Sequence, residues 1–158
     1  NISSPNTPNL RDLHQSDNLT ELLNAIEGEI IKVNYAKPIF LKISPDESRE
    51  SLESIIQAVD ESSFSGLIAT NTTINKDNLE NPRYKKLTGG LSGKPLMSKS
   101  TKTIKDIKNI SLNMDIIGVG GVMTKEDFHE KINAGAGLVQ IYTGFIVHGP
   151  KIVNELLK

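Results

Sequence analysis

Small polar residues follow several short apolar runs of this chain, each at the point where a run ends. Such groups occur at Thr70–Thr72, Gly120–Gly121 and Tyr142–Gly144, and a further one, Ser3–Asn6, follows Asn1–Ile2 at the start of the sequence. If the apolar runs are parallel strands, their carboxyl ends open onto one face of the sheet, where active sites of such folds are built. The spacing therefore predicts one shared pocket and favours an enzyme or a ligand-binding protein.

A lysine, Lys42, stands inside the apolar run Ile39–Ile43. A cationic side chain in a buried strand is costly unless an anionic partner compensates its charge. A solvent-facing position, or a side chain that reaches out to water, would also explain it. Neither suits a parallel sheet that is covered on both faces. Lys42 is therefore predicted to be functional.

Gly120–Gly121 ends another apolar run and precedes a helical segment. Two glycines here let the backbone approach a ligand and direct unpaired N–H groups at an anion, although a tight turn alone could also require them. The next run ends in Tyr142–Thr143, and loops after the last two strands of a (β/α)8 barrel commonly bind phosphate. Together the two turns predict a cofactor or substrate that carries phosphate.

Three asparagines near the predicted strand ends, Asn1, Asn6 and Asn71, supply side-chain amides that both donate and accept hydrogen bonds. With the hydroxyl groups of Thr70 and Thr72 they suit a flat heterocycle of the pyrimidine type better than a sugar or a metal ion. The serines and prolines beside Asn6 would by themselves be explained by a rigid turn. The predicted ligand is thus a planar ring with alternating carbonyl and N–H groups.

Composition excludes several other kinds of chemistry. The 158 residues include 18 basic and 19 acidic side chains, whereas nucleic-acid-binding proteins usually carry a basic excess, so no nucleic-acid partner is expected. The absence of cysteine rules out disulfides, thiolate metal sites and a cysteine nucleophile. The three histidines show no metal-ligand spacing, so no metal site is predicted. No apolar run approaches the ~20 residues of a membrane-spanning helix.

Short apolar runs rich in β-branched residues alternate with longer segments of helical period, a pattern typical of βα units around a parallel sheet. After the opening Asn1–Ile2, strands are predicted at 39–43, 66–70, 115–119 and 138–142. Helices are predicted by the apolar positions between Leu19 and Ile31, by those between Leu52 and Val59, from Ser100, after Thr124 and from Pro150. The stretch 71–100 lacks a clear period and is predicted to be a binding loop or lid.

These elements amount to about five βα units. A complete (β/α)8 barrel needs ~250 residues, about 31 for each unit. The chain is therefore predicted to be one domain, residues 1–158, that forms the C-terminal part of a TIM barrel, with the N-terminal part of that barrel outside this chain. A small doubly wound sheet is the alternative.

Six segments, in this order and at workable spacings, resemble the second half of class 2, quinone-dependent dihydroorotate dehydrogenases: NISSPNTPNLRDL, FLKISPD, GLIATNTT, TGGLSGKPL, IIGVGGV and AGAGLVQIYTGF. The resemblance extends over nearly the whole chain. It implies an FMN-containing barrel that oxidises dihydroorotate to orotate in pyrimidine biosynthesis, with quinone as the electron acceptor. The absence of cysteine agrees with class 2, which has a serine base where class 1 has cysteine.

The resemblance also implies roles for particular residues. Ser4 would be the catalytic base, which removes a proton while a hydride leaves the neighbouring carbon of dihydroorotate for FMN. The substrate would be bound by Asn1, Asn6, Asn71 and Thr72. FMN would be contacted by Asn1, Lys42, Thr70, Gly93, Gly121, Tyr142 and Thr143. Within that set, Lys42 would stabilise negative charge on the reduced ring.

Partners and location are implied in the same way. The N-terminal half of the family's barrel carries further flavin and orotate contacts and a helical segment that docks on a membrane and admits quinone, so that half is an expected partner. The expected location is peripheral to a membrane, at the cytoplasmic face of the bacterial inner membrane or at the mitochondrial inner membrane. The isolated chain is expected to be inactive. The alternatives are another flavin- or phosphate-binding barrel enzyme, or an inactive fragment.

Overall fold

The structure, a computed structural model, describes residues 1–4 and 16–158, in which parallel strands alternate with helices. The strands are β1 (Phe40–Ile43), β2 (Gly66–Ala69), β3 (Ile116–Val119) and β4 (Leu138–Gln140). The α-helices are α1 (Ser16–Lys32), α2 (Arg49–Asp60), α3 (Pro82–Lys85), α4 (Met97–Ile110), α5 (Lys125–Asn133), α6 (Thr143–His148) and α7 (Lys151–Leu157). A short 3-10 helix, Lys94–Leu96, leads into α4.

The four strands form one parallel sheet in the order β1-β2-β3-β4, so each strand pairs with the next strand in the sequence. The opening residues lie beside β1, where the N–H of Ile2 donates to the carbonyl of Lys42 at 3.4 Å. Residues 1–4 nevertheless do not form a strand. The described residues contain four strands, at the four places predicted after the opening residues, and the predicted parallel βα arrangement is confirmed.

Helix α2 buries the apolar face that its spacing predicts, whereas α1 buries only the first part of its predicted face and leaves Ile31 exposed. On α1, Leu19 and Leu23 are buried, and on α2 the buried positions are Leu52, Ile55, Ile56 and Val59. They pack in one core with Leu41 and Ile43 of β1. Complete burial of each such side chain stabilises the fold by about 1.5–3 kcal/mol. Within the described ranges, no helix is both long and apolar enough to traverse a lipid bilayer.

Several predicted ends of strands and loops differ from those in the structure. Strand β4 ends at Gln140 rather than at Tyr142, because the chain turns there into α6. The stretch 71–100 is not without structure, since it contains α3, where Asn81 accepts from the Arg83 N–H at 2.9 Å and Pro82 occupies the first turn. Its two ends are joined by reciprocal backbone hydrogen bonds between Thr73 and Leu91.

The start of α5 is capped more fully than its sequence indicates. Thr124 Oγ1 accepts from the Asp127 N–H at 3.3 Å, and Asp127 Oδ2 accepts from the N–H groups of Thr124 and Met123 at 3.2 and 3.0 Å. A capping box usually has the longer Glu or Gln where Asp127 stands, but here both halves of the box are present. Burial alone would raise the pKa of Asp127, yet these bonds and an ion pair with Lys94 hold it below its ordinary value.

Lys131 on α5 has a fully buried side chain, between α4 and β3. Burial lowers the pKa of Lys131 to about 8, although the negative charges of Glu130 and Asp127 partly oppose the shift. The folded protein therefore binds the proton of Lys131 less tightly than the unfolded chain does.

Because of this buried lysine, the fold is expected to gain stability as the pH rises from about 8 to 10.5. Over that window the unfolded chain retains a proton that folded Lys131 releases, so the free energy of unfolding increases with pH. Urea unfolding at about pH 7 and about pH 10 gives the free energies of unfolding of the wild type and of Lys131→Met. The difference between these two free energies should shift in favour of the wild type at the higher pH. An equal difference at both pH values would contradict the assignment.

Candidate functional site

A cavity of about 390 Å³ opens at the carboxyl ends of β2, β3 and β4. Its lining combines residues that follow these three strands with Lys42 of β1 and with part of the loop before α4. The predicted site residues that line it are Lys42, Thr70, Asn71, Thr72, Gly93, Gly121, Tyr142 and Thr143. Residues from distant parts of the sequence thus meet around one cavity.

Lys42 faces the cavity because side chains alternate along β1. Leu41 and Ile43 point to the helix side and are buried, whereas Lys42 is half-buried and lines the cavity. Burial lowers the pKa of Lys42. An anionic group bound in the cavity would offset this loss of hydration, so the position favours a negatively charged ligand.

Hydrogen bonds join Asn71, at the end of β2, to the opening residues. Its Nδ2 donates to Asn1 Oδ1 and to Ser3 Oγ, both at 3.2 Å, and its Oδ1 accepts from the Thr72 N–H at 2.8 Å. The Ser3 hydroxyl lies 3.0 Å from both Asn1 Oδ1 and the Lys42 carbonyl. Asn1 does not line the cavity itself, but its amide fixes a side chain that does. Ser3, fully buried, was not singled out from the sequence.

Ser4 directly follows this cluster and is half-buried. It is not among the residues that line the cavity. Its assignment as the base stays a prediction. Asn6, the remaining predicted substrate residue, lies outside the described residues.

The turn Gly120–Gly121 rests directly on the first turn of α4. Both glycines have positive φ, +123° and +81°. A Cβ at Gly121 would lie 2.5 Å from the N and Cα atoms of Met97, and one at Gly120 would lie 2.8 Å from Ser100 Oγ. The Gly120 carbonyl accepts from that same hydroxyl at 2.9 Å. Only glycine satisfies both the conformation and the close approach, and the turn leaves backbone rather than side chains at the cavity wall.

The loop before α4 brings Gly93 to the same wall. Gly93 has φ +71°, and a Cβ there would lie 3.2 Å from Thr143 Cγ2. The hydroxyl groups of Thr143 and Ser92 are 3.2 Å apart, which ties the loop to the start of α6. Ser92 and Gln140 also line the cavity, and sequence reasoning missed both. Ser92 could have been predicted from its position next to Gly93, which was itself a predicted site residue.

A half-buried carboxylate anchors the loop that follows Thr72. Asp46 accepts from the Ile74 N–H at 2.9 Å, from the Thr73 hydroxyl and from Lys99 Nζ. Burial alone would raise the pKa of Asp46, but these hydrogen bonds hold it below its ordinary value. The loop is therefore fixed at its base where it leaves the cavity.

The donor set matches a phosphate-bearing, flat cofactor. The glycine turn offers backbone close to the ligand, Ser92 and Thr143 offer hydroxyl groups, and Lys42 offers a cation. Across residues 1–4 and 16–158, no group of three or more His, Asp or Glu side chains is arranged to hold a metal ion.

Comparison with known proteins decides the family. The family described as "Dihydroorotate dehydrogenase" matches residues 1–158. The chain belongs to the dihydroorotate dehydrogenase family. It is 47% identical over 157 residues to the "Dihydroorotate dehydrogenase (quinone)" of Christiangramia forsetii, covering 99% of this chain and 46% of that protein. The protein of the same name from Dichelobacter nodosus is 45% identical over 162 residues, covering 100% of this chain and 48% of that protein.

Solved dihydroorotate dehydrogenase structures agree. The crystal structure of DHODH from Eimeria tenella in complex with ferulenol superimposes with a TM-score of 0.91 at 35% identity, covering 98% of this chain and 46% of that chain. The ligand-free structure from the same organism superimposes with a TM-score of 0.90. The chain thus spans about half the length of the relatives it matches. The predicted family and the predicted fold, part of a TIM barrel, are confirmed, and membership implies a flavin cofactor in general.

Proposed function

We propose that residues 1–158 form the C-terminal half of an FMN-dependent enzyme that oxidises dihydroorotate to orotate in pyrimidine biosynthesis and delivers the electrons to quinone. The observation that carries the proposal is the shared cavity. Lys42, Asn71 and the turn Gly120–Gly121 open onto it in a chain of the dihydroorotate dehydrogenase family. The N-terminal half of the barrel is the proposed partner, because the relatives are about twice as long as this chain.

FMN is the proposed cofactor, and when bound it accepts the hydride that leaves the substrate. Its phosphate end fits the wall formed by Gly93, Gly121, Tyr142 and Thr143, where backbone and hydroxyl groups can donate. Its ring would be contacted by Lys42, Thr70 and Asn1. The Lys42 ammonium would then supply a fixed positive charge beside the ring, where negative charge would be stabilised on reduction.

Asn71 and Thr72, together with Asn1 and Asn6, are proposed to bind the pyrimidine. The Asn71 amide is held by Asn1 and Ser3 on one side and by the Thr72 N–H on the other. A side chain fixed in this way loses little entropy when the substrate binds.

Ser4 is the proposed base. It follows Ser3, whose hydroxyl contacts both Asn1 and the Lys42 carbonyl, so the hydroxyl-bearing segment is tied to the substrate and cofactor residues. Serine is a weak base in water, and it needs hydrogen bonding or a relay within the site to accept the proton. Removal of a proton by Ser4 accompanies departure of the hydride from the neighbouring carbon.

Quinone is proposed as the electron acceptor because the curated relatives carry that acceptor in their names. We place the protein at the periphery of a membrane, bound through an N-terminal segment, at the cytoplasmic face of a bacterial inner membrane or at a mitochondrial inner membrane. Lipid-soluble quinone is available to an enzyme only at such a surface.

Reconstitution tests the proposed function. The test uses the complete barrel, that is, these residues together with the N-terminal half, and it measures bound flavin and the reduction of a soluble quinone by dihydroorotate. A yellow protein with substrate-dependent quinone reduction is expected, whereas the isolated chain should be inactive. A flavin-containing complete barrel that ignores dihydroorotate would instead favour a barrel enzyme for another heterocycle. A complete barrel without flavin would favour an inactive fragment.

Replacing Asn71 by alanine is expected to weaken orotate binding to the complete barrel about tenfold or more, because a fixed hydrogen-bonding amide is lost. Titration of the bound flavin spectrum with orotate measures this dissociation constant. Asn109→Ala, at an exposed position of α4, is the matched control and should leave it unchanged. Equal affinities in the Asn71 variant and the wild type would remove Asn71 from the substrate site.

A further inference from the structure

Lys131 is a buried cation for which the proposed reaction has no direct use. Its Nζ donates to the Met97 carbonyl at 3.3 Å, to Thr101 Oγ1 at 2.9 Å and to Ser100 Oγ. The ammonium thus uses all three N–H groups, yet the ion pairs of the described residues do not include it. A methionine would fill this space without the cost of burying a charge. The charge therefore calls for an explanation beyond packing.

Ser100 connects this ammonium to the cavity wall. Its hydroxyl accepts from Lys131 and lies 2.9 Å from the carbonyl oxygen of Gly120, to which it donates. The other acceptor within reach, the Met97 carbonyl, is farther away at 3.1 Å and also accepts from Lys131, so the Gly120 carbonyl is the favoured acceptor. Because Gly120 lines the cavity, two consecutive hydrogen bonds join the buried cation to the wall.

The orientation of the Gly120 carbonyl determines that of the next N–H. The Gly120–Gly121 peptide bond is trans, and in a trans peptide the C=O and the N–H point in opposite directions. With the carbonyl directed at Ser100 of α4, the Gly121 N–H is directed away from α4. Among the hydrogen bonds of the described part of the chain, this N–H has no protein acceptor, and Gly121 lines the cavity.

We propose that Lys131 is a positioning residue of the cofactor site: acting through Ser100, its ammonium holds the Gly120 carbonyl against α4 so that the Gly121 N–H is presented to the phosphate of the cofactor. The stem of Lys131 supports the same arrangement, since its Cβ lies 3.5 Å from the position that a Cβ at Gly118 of β3 would occupy. The lysine thereby joins β3, α4 and α5 beneath the glycine turn. The inference rests on the proposed binding of FMN.

The test compares two flavins in the complete barrel freed of cofactor. FMN carries the phosphate and riboflavin lacks it, and quenching of flavin fluorescence gives both dissociation constants. Lys131→Met is expected to weaken FMN binding about tenfold or more and riboflavin binding less than about threefold, because only the phosphate contact depends on the turn. A general loss of structure would weaken both equally.

Two further variants complete the test. Lys108→Met is the matched control, because Lys108 donates to the carbonyls of Leu112 and Met114 at the opposite end of α4 and should not affect FMN selectively. Ser100→Ala breaks the same connection and should reproduce the FMN-selective loss, so it decides the matter if Lys131→Met does not fold. Equal losses for both flavins, or no loss, overturn the inference. A wild type that binds neither flavin contradicts the proposed function itself.

Discussion

Substitution of Ser4 by alanine is expected to lower the turnover of dihydroorotate by the complete barrel by about 10²–10⁴-fold, the usual contribution of a positioned acid–base group. Without the hydroxyl, no group at this position can take the proton while the hydride leaves. Because the amides of Asn1 and Asn71 remain in place, the dissociation constant of orotate should change less than about twofold. The rate of flavin reduction in a rapid-mixing experiment measures the first effect, and a spectral titration measures the second.

Ser65→Ala is the matched control for this substitution. Ser65 is also half-buried, but it accepts from the Ile39 N–H at 3.3 Å at the amino end of the sheet, away from the cavity. The control should fold and turn over at the wild-type rate. Unchanged flavin reduction in Ser4→Ala would remove Ser4 as the base, while loss of orotate binding would indicate a role in holding the substrate instead.

Substitution of Gly121 by alanine is expected to lower the free energy of unfolding by about 3 kcal/mol or more and to abolish FMN binding. The new Cβ would lie 2.5 Å from backbone atoms of Met97, which cannot move without shifting α4. In addition, a φ of +81° is strained for any residue with a Cβ. Urea unfolding and flavin titration of the complete barrel measure the two effects.

Variants at two other glycines separate backbone strain from the contact with Met97 as causes of the lost stability. Gly149 has φ +71° with open space around its position, so Gly149→Ala should show the conformational strain alone, about 1–2 kcal/mol. Gly28, inside α1, also has open space, and Gly28→Ala should stabilise the fold by about 0.5–1 kcal/mol. A Gly121 variant no less stable than the Gly149 variant would show that the contact with Met97 is not tight.

The helices and strands could be predicted where a regular apolar spacing carries the information. The faces of α1 and α2 are visible in the sequence because their buried positions recur mainly at intervals of three or four residues. Helix α6 was missed because it has only six residues, too few for a period to emerge. The two bonded ends of the stretch 71–100, Thr73 and Leu91, carry no local sign that they meet.

The candidate site was predictable in so far as it is a property of strand ends. A parallel sheet directs all its carboxyl ends to one side, which is why the sequence alone predicts that Thr70–Thr72 and Tyr142–Thr143 lie together. The turn Gly120–Gly121 could be expected because two glycines between a strand and a helix suit either a close approach to a ligand or a tight turn. The assignment of particular roles depended instead on the family resemblance.

Contacts between distant residues could not be predicted. Lys131 appears in the sequence as one of several charged residues on a helix, and a lysine is ordinarily exposed. Its burial becomes evident only when the hydroxyl groups of Ser100 and Thr101 are seen around its ammonium. Likewise, the complete cap of α5 includes Lys94, 33 residues before Asp127 along the chain.

The neighbour-to-neighbour order of the sheet bears on how the chain acquires its structure. Each strand pairs with the strand made just before or just after it, so no pairing of the sheet must wait for a remote segment. During synthesis, β1 and β2 can associate before β3 has left the ribosome, and later units can add to an existing edge. The cavity wall around Gly121 and Tyr142, which needs β3 and β4, is then the last part of the sheet to be assembled.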